Sequence, residues 1–246
     1  MVVIINADDL GISREVNDAI FRLMEQGTVT SATMLANGAA VEQAAAQVAR
    51  FPRASFGVHL NLTEFQAVAP TSGLRAILDQ ADCFRGNHIR EITIAKELKA
   101  AIFQEWCAQI EKVIGLGIRP SHLDSHHHTH TLPALLPVLG KVAKKYGIPK
   151  VRISRNIFLP GEPFTLKMKK AAYNTSLRYL AGFTTTDLFS GFDMFLQTGN
   201  GVRRRAKSIE LMVHPGAQGS EQETSQLLHW VGSRGHDLRL ISYKDL

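Results

Sequence analysis

Residues 122–130 read His-Leu-Asp-Ser-His-His-His-Thr-His, which puts five imidazoles and one carboxylate in nine positions. Side chains alternate across an extended strand, so His122, Asp124, His126, His128 and His130 would share one face. Packing gives no reason for such a face. Protonating these groups together would build like-charge repulsion, so a cation or carboxylates should lie nearby. Asp8 and Asp9 form an adjacent acidic pair. One can coordinate a cation while its neighbour takes a proton from a bound water. The same pair also suits a helix cap before Ser13 or a turn before Gly11. His59, in Gly57-Val-His-Leu-Asn-Leu-Thr63, is either a third ligand or a buried histidine bonded to a carbonyl. His214, in His-Pro-Gly, is either a general acid or part of a strand-end turn. Asn61, like Asn6 and Asn37, is a candidate substrate contact.

These residues need a scaffold that brings them together. Val2–Asn6 is a short, β-branched apolar run suited to a buried parallel strand. Ser13 can cap a helix that ends at Gly27, with Val16, Ile20 and Leu23 on one stripe. Strand patterns recur at Val29–Leu35, Ser55–Leu62, Ile118–Ser125, Val151–Ile153, Thr184–Phe189, Ser208–Val213 and Asp237–Ile241. Helical patterns cover Ala39–Arg50, Thr93–Ile114, Pro133–Tyr146, Phe164–Gly182 and Glu221–Gly232. Residues 64–92 are irregular, a long loop suited to lie over a site. The alternation predicts an α/β fold with a parallel sheet covered by helices, either open or closed as a barrel. In such folds the carboxyl ends of the strands share one face, and active sites form there. Asp8, Asp9, His59, Asp124, His126 and His214 all fall at or just after predicted strand ends.

Composition narrows the class. At 246 residues the chain suits one (β/α) domain over 1–246. With 45% hydrophobic and 20% charged residues it is an ordinary globular sequence. Cys83 and Cys107 have no CxxC partner and read as free thiols. No signal peptide and no apolar run of about 20 residues is visible, so the expected location is the cytoplasm, away from any membrane. The net charge is +6, much of it in Lys167, Lys169, Lys170 and Arg203–Arg205. Aromatics are 7% and not interleaved with these charges, so the cluster reads as a solvated face, not a nucleic-acid surface.

Four motifs in order carry a family resemblance. They are Asn6-Ala-Asp-Asp-Leu-Gly11, Gly57-x-His-x-x-Leu-Thr63, His122-Leu-Asp-Ser-His-His-His-x-His130 and Glu210-Leu-Met-x-His-Pro215. Together they resemble the YdjC-like carbohydrate deacetylases, over residues 3 to about 216. The resemblance implies a somewhat irregular, TIM-barrel-like (β/α) barrel and a homodimer. It also implies one divalent cation, Mg²⁺ or Zn²⁺, held by Asp9, His59 and His126, and an N-acetylated saccharide as substrate. Asp8 would be the general base and His214 the general acid. Asp124 and His130 would orient a ligand or hold substrate, since outer partners fix imidazole tautomers. A three-ligand site with open positions is what hydrolysis requires. Two rivals predict different outcomes. A metal-dependent phosphoesterase would release phosphate from sugar phosphates, and a non-catalytic sugar-binding barrel would bind without turnover.

Overall fold

A computed structural model describes residues 1–198, 206–235 and 238–246. Strand β1 (Val2–Leu10) is the centre of the sheet. It is followed by α1 (Arg14–Glu25), β2 (Ser31–Met34), α2 (Val41–Val48) and β3 (Ser55–Leu60). Then come α3 (Lys96–Gly115), β4 (Leu123–Ser125), α4 (Leu136–Tyr146), α5 (Phe164–Thr175) and β5 (Leu188–Gly191). The chain closes with α6 (Phe192–Gln197), β6 (Ser208–Val213), α7 (Glu221–Arg234) and β7 (Arg239–Leu240).

All strand pairs are parallel, in the order β4-β3-β2-β1-β6-β5. Strand β7 pairs with Val2 and Val3 at the start of β1, ahead of the first β1–β2 pair at Asn6 and Ser31. Single bridges from Leu123 to Val151 and from Lys150 to Thr184 carry the sheet around between its β4 and β5 edges. The sheet therefore curls as a barrel-like surface. Its strands are buried on both faces, which is why they read as continuous apolar runs. Helices pack outside through residues such as Ile20, Val41, Trp106 and Leu139.

Several elements differ from the sequence expectation. Strand β1 runs four residues further than its apolar run and includes both aspartates. The expected strand at 118–125 shortens to Leu123–Ser125, and the ladder begins after Pro120, which has no N–H to donate. Val151 makes only a bridge where a strand was expected. The 164–182 helix ends in a π-turn at Ser176–Leu180. Arg203–Arg205 and Asp237 lie outside the described residues. Among the described residues no helix is long and apolar enough to cross a membrane.

The start of α1 fixes the entry to the site. Ser13 caps it by accepting a bond from the Val16 amide at 3.2 Å, as its position predicted. Gly11, at φ +98, turns the chain from β1 toward that cap. Gly38 lies so close that a Cβ there would sit 2.3 Å from the Gly11 carbonyl oxygen. Gly38→Ala is therefore expected to lower stability by about 1–3 kcal/mol, the range of overpacking in a rigid core. Gly140, inside α4, has nothing within 4 Å of the place a Cβ would occupy. Gly140→Ala should raise stability by about 0.5–1 kcal/mol through helix propensity. Urea denaturation of both variants checks this pair of opposite signs.

Candidate metal centre and cleft

The carboxyl ends of β1, β3 and β4 meet at one cluster. Asp8 and Asp9 sit where the β1–β2 register shifts between Ala7 and Leu10. Asp9 takes a left-handed backbone, φ 65, which re-aims its carboxylate as bulges commonly do. His59 and Asp124 are register partners across the β3–β4 ladder. Their side chains join, with His59 Nδ1 2.7 Å from Asp124 Oδ1. That leaves His59 Nε2 turned to Asp9 Oδ1, 3.3 Å away. His126 follows β4 and brings Nδ1 to 2.8 Å from the same oxygen.

These three donors fit a divalent cation. Asp9, His59 and His126 each offer one ligand atom within 4.8 Å of the others. Asp9 Oδ1 is buried, yet neither imidazole approaches it with hydrogen-bond geometry. An unpartnered buried carboxylate oxygen facing two nitrogens is a donor set for a metal of mixed O/N preference. The titration behaviour agrees. Burial would raise the Asp9 carboxyl, but the His126 and His59 imidazoles hold it well below the usual range. Burial would lower His59, but Asp124 and Asp8 push it well above its ordinary value.

Behind the cluster lies Arg152, fully buried. Its Nη1 and Nη2 donate to the two Asp8 oxygens at 2.7 and 2.6 Å. Nη1 also lies 2.8 Å from Asp124 Oδ2, and Nε donates to Glu210 Oε1 at 2.8 Å. The Tyr243 hydroxyl donates to Glu210, and its ring stacks on His122 at 3.6 Å between centroids. Burial raises the Asp8 and Asp124 carboxyls, but the guanidinium and the His59 imidazole together outweigh it and hold both below the usual value. Glu210 goes the other way, because its burial outweighs the same cation. With His59 neutral, as a metal ligand must be, ionised Asp8, Asp9 and Asp124 against one guanidinium leave two surplus negative charges, which a divalent cation would neutralise. The sequence reading did not single out Arg152. The available signal was a charged residue between Val151 and Ile153 in an apolar run.

The histidine run does not form one extended face. His127 and His128 have φ 50 and 54, so the chain curls into a 3-10 turn after His126. His122 points inward and is so enclosed that burial drops it to about 3. His130 is fully buried between Ser125 Oγ and the Arg152 carbonyl, and burial drops it to about 4. His127 and His128 instead turn to the cleft. Asn61 also faces inward. Its Oδ1 accepts from the Thr63 and Glu64 amides, and its Nδ2 donates to Asn37. It thereby builds the turn that presents Glu64, whose Oε2 lies 3.2 Å from His126 Nε2. Of the 64–92 segment, Glu64 and Arg90 reach the histidine turn, Arg90 by donating to the His127 carbonyl, but none of its residues lines the cleft.

A cavity of about 760 Å³ opens over the cluster. Asp8, Asp9, His59, His126 and His214 line it together with residues of α6 and α7. The His214 amide donates to Glu223 Oε2 at 2.8 Å, which ties its loop to α7.

Fold and site together define a parallel, barrel-like α/β protein whose strand ends carry a His/Asp cluster able to hold a metal ion. Within that class the chain belongs to the YdjC-like protein family, whose model matches residues 2–245. A carbohydrate deacetylase of Vibrio cholerae serotype O1 (strain M66-2) is 31% identical, with 100% of this chain and 96% of that protein covered. A chitooligosaccharide deacetylase of Salmonella paratyphi B is 32% identical over 87% of this chain and 81% of that protein. The crystal structure of a proposed cellobiose-phosphate cleavage protein from Enterococcus faecalis V583 has a TM-score of 0.73. It is 25% identical, with 99% of this chain and 97% of that one covered.

The Arg152 cluster makes a measurable demand. Arg152→Met would strand three buried carboxylates, at an expected loss of about 3–5 kcal/mol at pH 7. In the native protein Asp8 and Asp124 titrate below their usual 3.8. The stability they confer is thus present above that value and lost as pH falls through their lowered ones. Without the guanidinium, burial raises both groups, so the variant should regain stability between pH 7 and pH 5. Urea unfolding at the two pH values tests this; a variant weakened equally at both would contradict it.

Proposed function

We propose that the protein is a metal-dependent carbohydrate deacetylase that hydrolyses the acetamide of an N-acetylated sugar or oligosaccharide. The observation that carries this reading is the convergence of Asp9, His59 and His126 beside Asp8 at the wall of a sugar-sized cleft. The names borne by the Vibrio and Salmonella relatives support it. Asp9, His59 and His126 are the residues that would hold one cation, Mg²⁺ or Zn²⁺. Such an ion, when bound, supplies Lewis-acid polarisation of the amide carbonyl and makes water acidic enough to ionise near neutral pH.

The chain's own groups do the rest. Asp8, kept ionised and fixed in direction by Arg152, takes the proton of the attacking water. Asp124 accepts from His59 Nδ1, which sets the tautomer that leaves Nε2 free. His214, which lines the same cleft, protonates the departing nitrogen. Asn61 and His130 act through the loops they hold, not through substrate. On this reading one catalytic domain spans 1–246, and the protein is a cytoplasmic homodimer, as the family resemblance implies.

The cleft chemistry also bears on the phosphoesterase alternative. Among the described residues its lining includes the carboxylates Asp193 and Glu223 and no lysine or arginine. Arg152 is fully used by carboxylates. A neutral acetamide sugar suits this wall, while the adjoining space that shares Asp193, His214 and Glu223 carries Arg155 and Lys170, so phosphate release from sugar phosphates decides between the two.

Metal-stripped protein, with and without added Zn²⁺ or Mg²⁺, should release acetate from a panel of N-acetylated sugars only when metal is restored. Phosphate from sugar phosphates with no acetate from the panel would overturn the reading, and sugar binding without any turnover would favour a binding protein. Asp9→Ala and His126→Ala should lose metal, read as metal content after gel filtration, with circular dichroism unchanged. Asp8→Asn should keep its metal and slow turnover by ~100-fold or more. Full activity in that variant would remove Asp8 as the base.

A further inference from the structure

Two cavities leave the Asp8–Asp9–His214 corner in different directions. One is the large polar cleft already described. The other is a recess of about 290 Å³ that shares Asp8, Asp9, His214, Ala217 and Gln218 with the cleft. Beyond the shared residues its walls are Ile12, Ser13, Val16, Pro215 and Gly216, apolar but for the Ser13 hydroxyl. The recess is backed by the first turn of α1, because Ser13 and Val16 both line it.

Its walls are held by close backbone packing. The 214–217 turn presses on α1 so tightly that a Cβ at Gly216 would meet Val16 Cα and the Glu15 carbonyl oxygen at 2.9 Å. Gly216 also has φ +78, a conformation that favours glycine. Interiors packed in this way change shape little. The recess is thus a preformed apolar space, opening onto the same three polar side chains that flank the cleft.

An N-acyl sugar has the matching division. Its polar half lies on the nitrogen side of the amide and its apolar half on the carbonyl side. With the amide at the Asp8–Asp9–His214 corner, the sugar takes the cleft and the alkyl group takes the recess. The size of the recess then matters. An apolar cavity of roughly 150 Å³ is enough to take up benzene. A space of about 290 Å³ far exceeds the needs of one methyl group.

We infer that this recess is an acyl pocket and that the protein also hydrolyses N-acyl sugars with chains longer than acetyl, propionyl and butyryl among them. The inference rests on the amide-hydrolase reading above. The reaction is the same for each chain length. The C–N bond breaks, the oxygen of water joins the acyl carbon to give a carboxylate, and the nitrogen leaves as a protonated amine. Amide and water supply every atom. Each methylene removed from water should favour the bound state by about fourfold.

The test uses metal-loaded protein and glucosamine oligosaccharides N-acylated with acetyl, propionyl or butyryl groups, read as free amine released. Propionyl and butyryl substrates are expected within about tenfold of acetyl in kcat/KM. Ile12→Phe and Ile12→Trp, at a residue that lines the recess and not the cleft, should lower the butyryl-to-acetyl ratio by about tenfold or more. Calorimetry supplies a readout independent of turnover: with two further methylenes, butyrate should bind about sixteenfold tighter than acetate, and the variants should lose that advantage. A butyryl substrate more than about a hundredfold poorer than acetyl, with butyrate bound no tighter than acetate, would overturn the acyl pocket and leave deacetylation standing. No amine from any substrate, acetyl included, would overturn the hydrolase reading, and the butyrate–acetate comparison would then decide the pocket alone.

Discussion

The contact on which the site depends is Arg152 against Asp8, Asp124 and Glu210, all essentially out of water. Burying an ion is costly unless its partners and hydrogen bonds are nearly complete. Here the guanidinium is engaged by three carboxylates from three strands, and those carboxylates have further partners. Asp8 accepts from Asn6, Asp124 from Thr33, and Glu210 from Tyr243. The guanidinium is planar with donors in a fixed fork, so it dictates where each carboxylate points. Asp124 in turn directs His59. The orientation of the metal-capable cluster is therefore inherited from one buried cation.

This arrangement also explains the far end of the chain. Tyr243 lies beyond the last strand, yet it is fully buried. Its ring stacks on His122 and its hydroxyl reaches Glu210. Its amide meets Ser31 and Ser55 at the amino ends of β2 and β3. The C-terminal turn thus plugs the barrel-like sheet opposite the cleft. The interior between plug and cleft is filled by a connected set of polar groups from His122 to Asp9. Polar interiors of this kind are stable only when nearly every member is satisfied. Two atoms at the cleft, Asp9 Oδ1 and His128 Nδ1, are exceptions among the described residues, and the first is instructive. The unpartnered oxygen of Asp9 lies where the network opens to the cleft, at the point where a cation would complete it.

Strand-end delivery of ligands is a property of the fold class, but the detail comes from departures from regular structure. The bulge in β1 separates the tasks of two adjacent aspartates. Asp8 turns in to Arg152 and Asp9 turns to the imidazoles. In a regular strand they would point to opposite faces. The left-handed pair His127–His128 likewise ends the strand after His126, so that one histidine meets Asp9 and the next two reach the cleft. Strained or irregular backbone of this kind is common beside functional sites.

Much of this protein is legible in its residues alone. The βα rhythm follows from apolar runs and caps, because burial and orphan amides act locally. Ser13 caps α1 and Ser208–Val213 is a strand as their patterns require. The five ligand and acid–base candidates line one cleft for the same reason: each falls at the carboxyl end of a strand, and parallel strands share that end. The family motifs add the likeness that the match to the YdjC-like family bears out. Other features were decided only in three dimensions. Nothing local marks Arg152 as the partner of residues 28 and 144 positions away, because ion pairing across a barrel depends on register. Alternation misplaces His128 and His130, because two left-handed residues cancel the strand geometry on which alternation rests. The two cavities are likewise tertiary, since they are spaces between α1, the 214–217 turn and α7 that no single segment encodes.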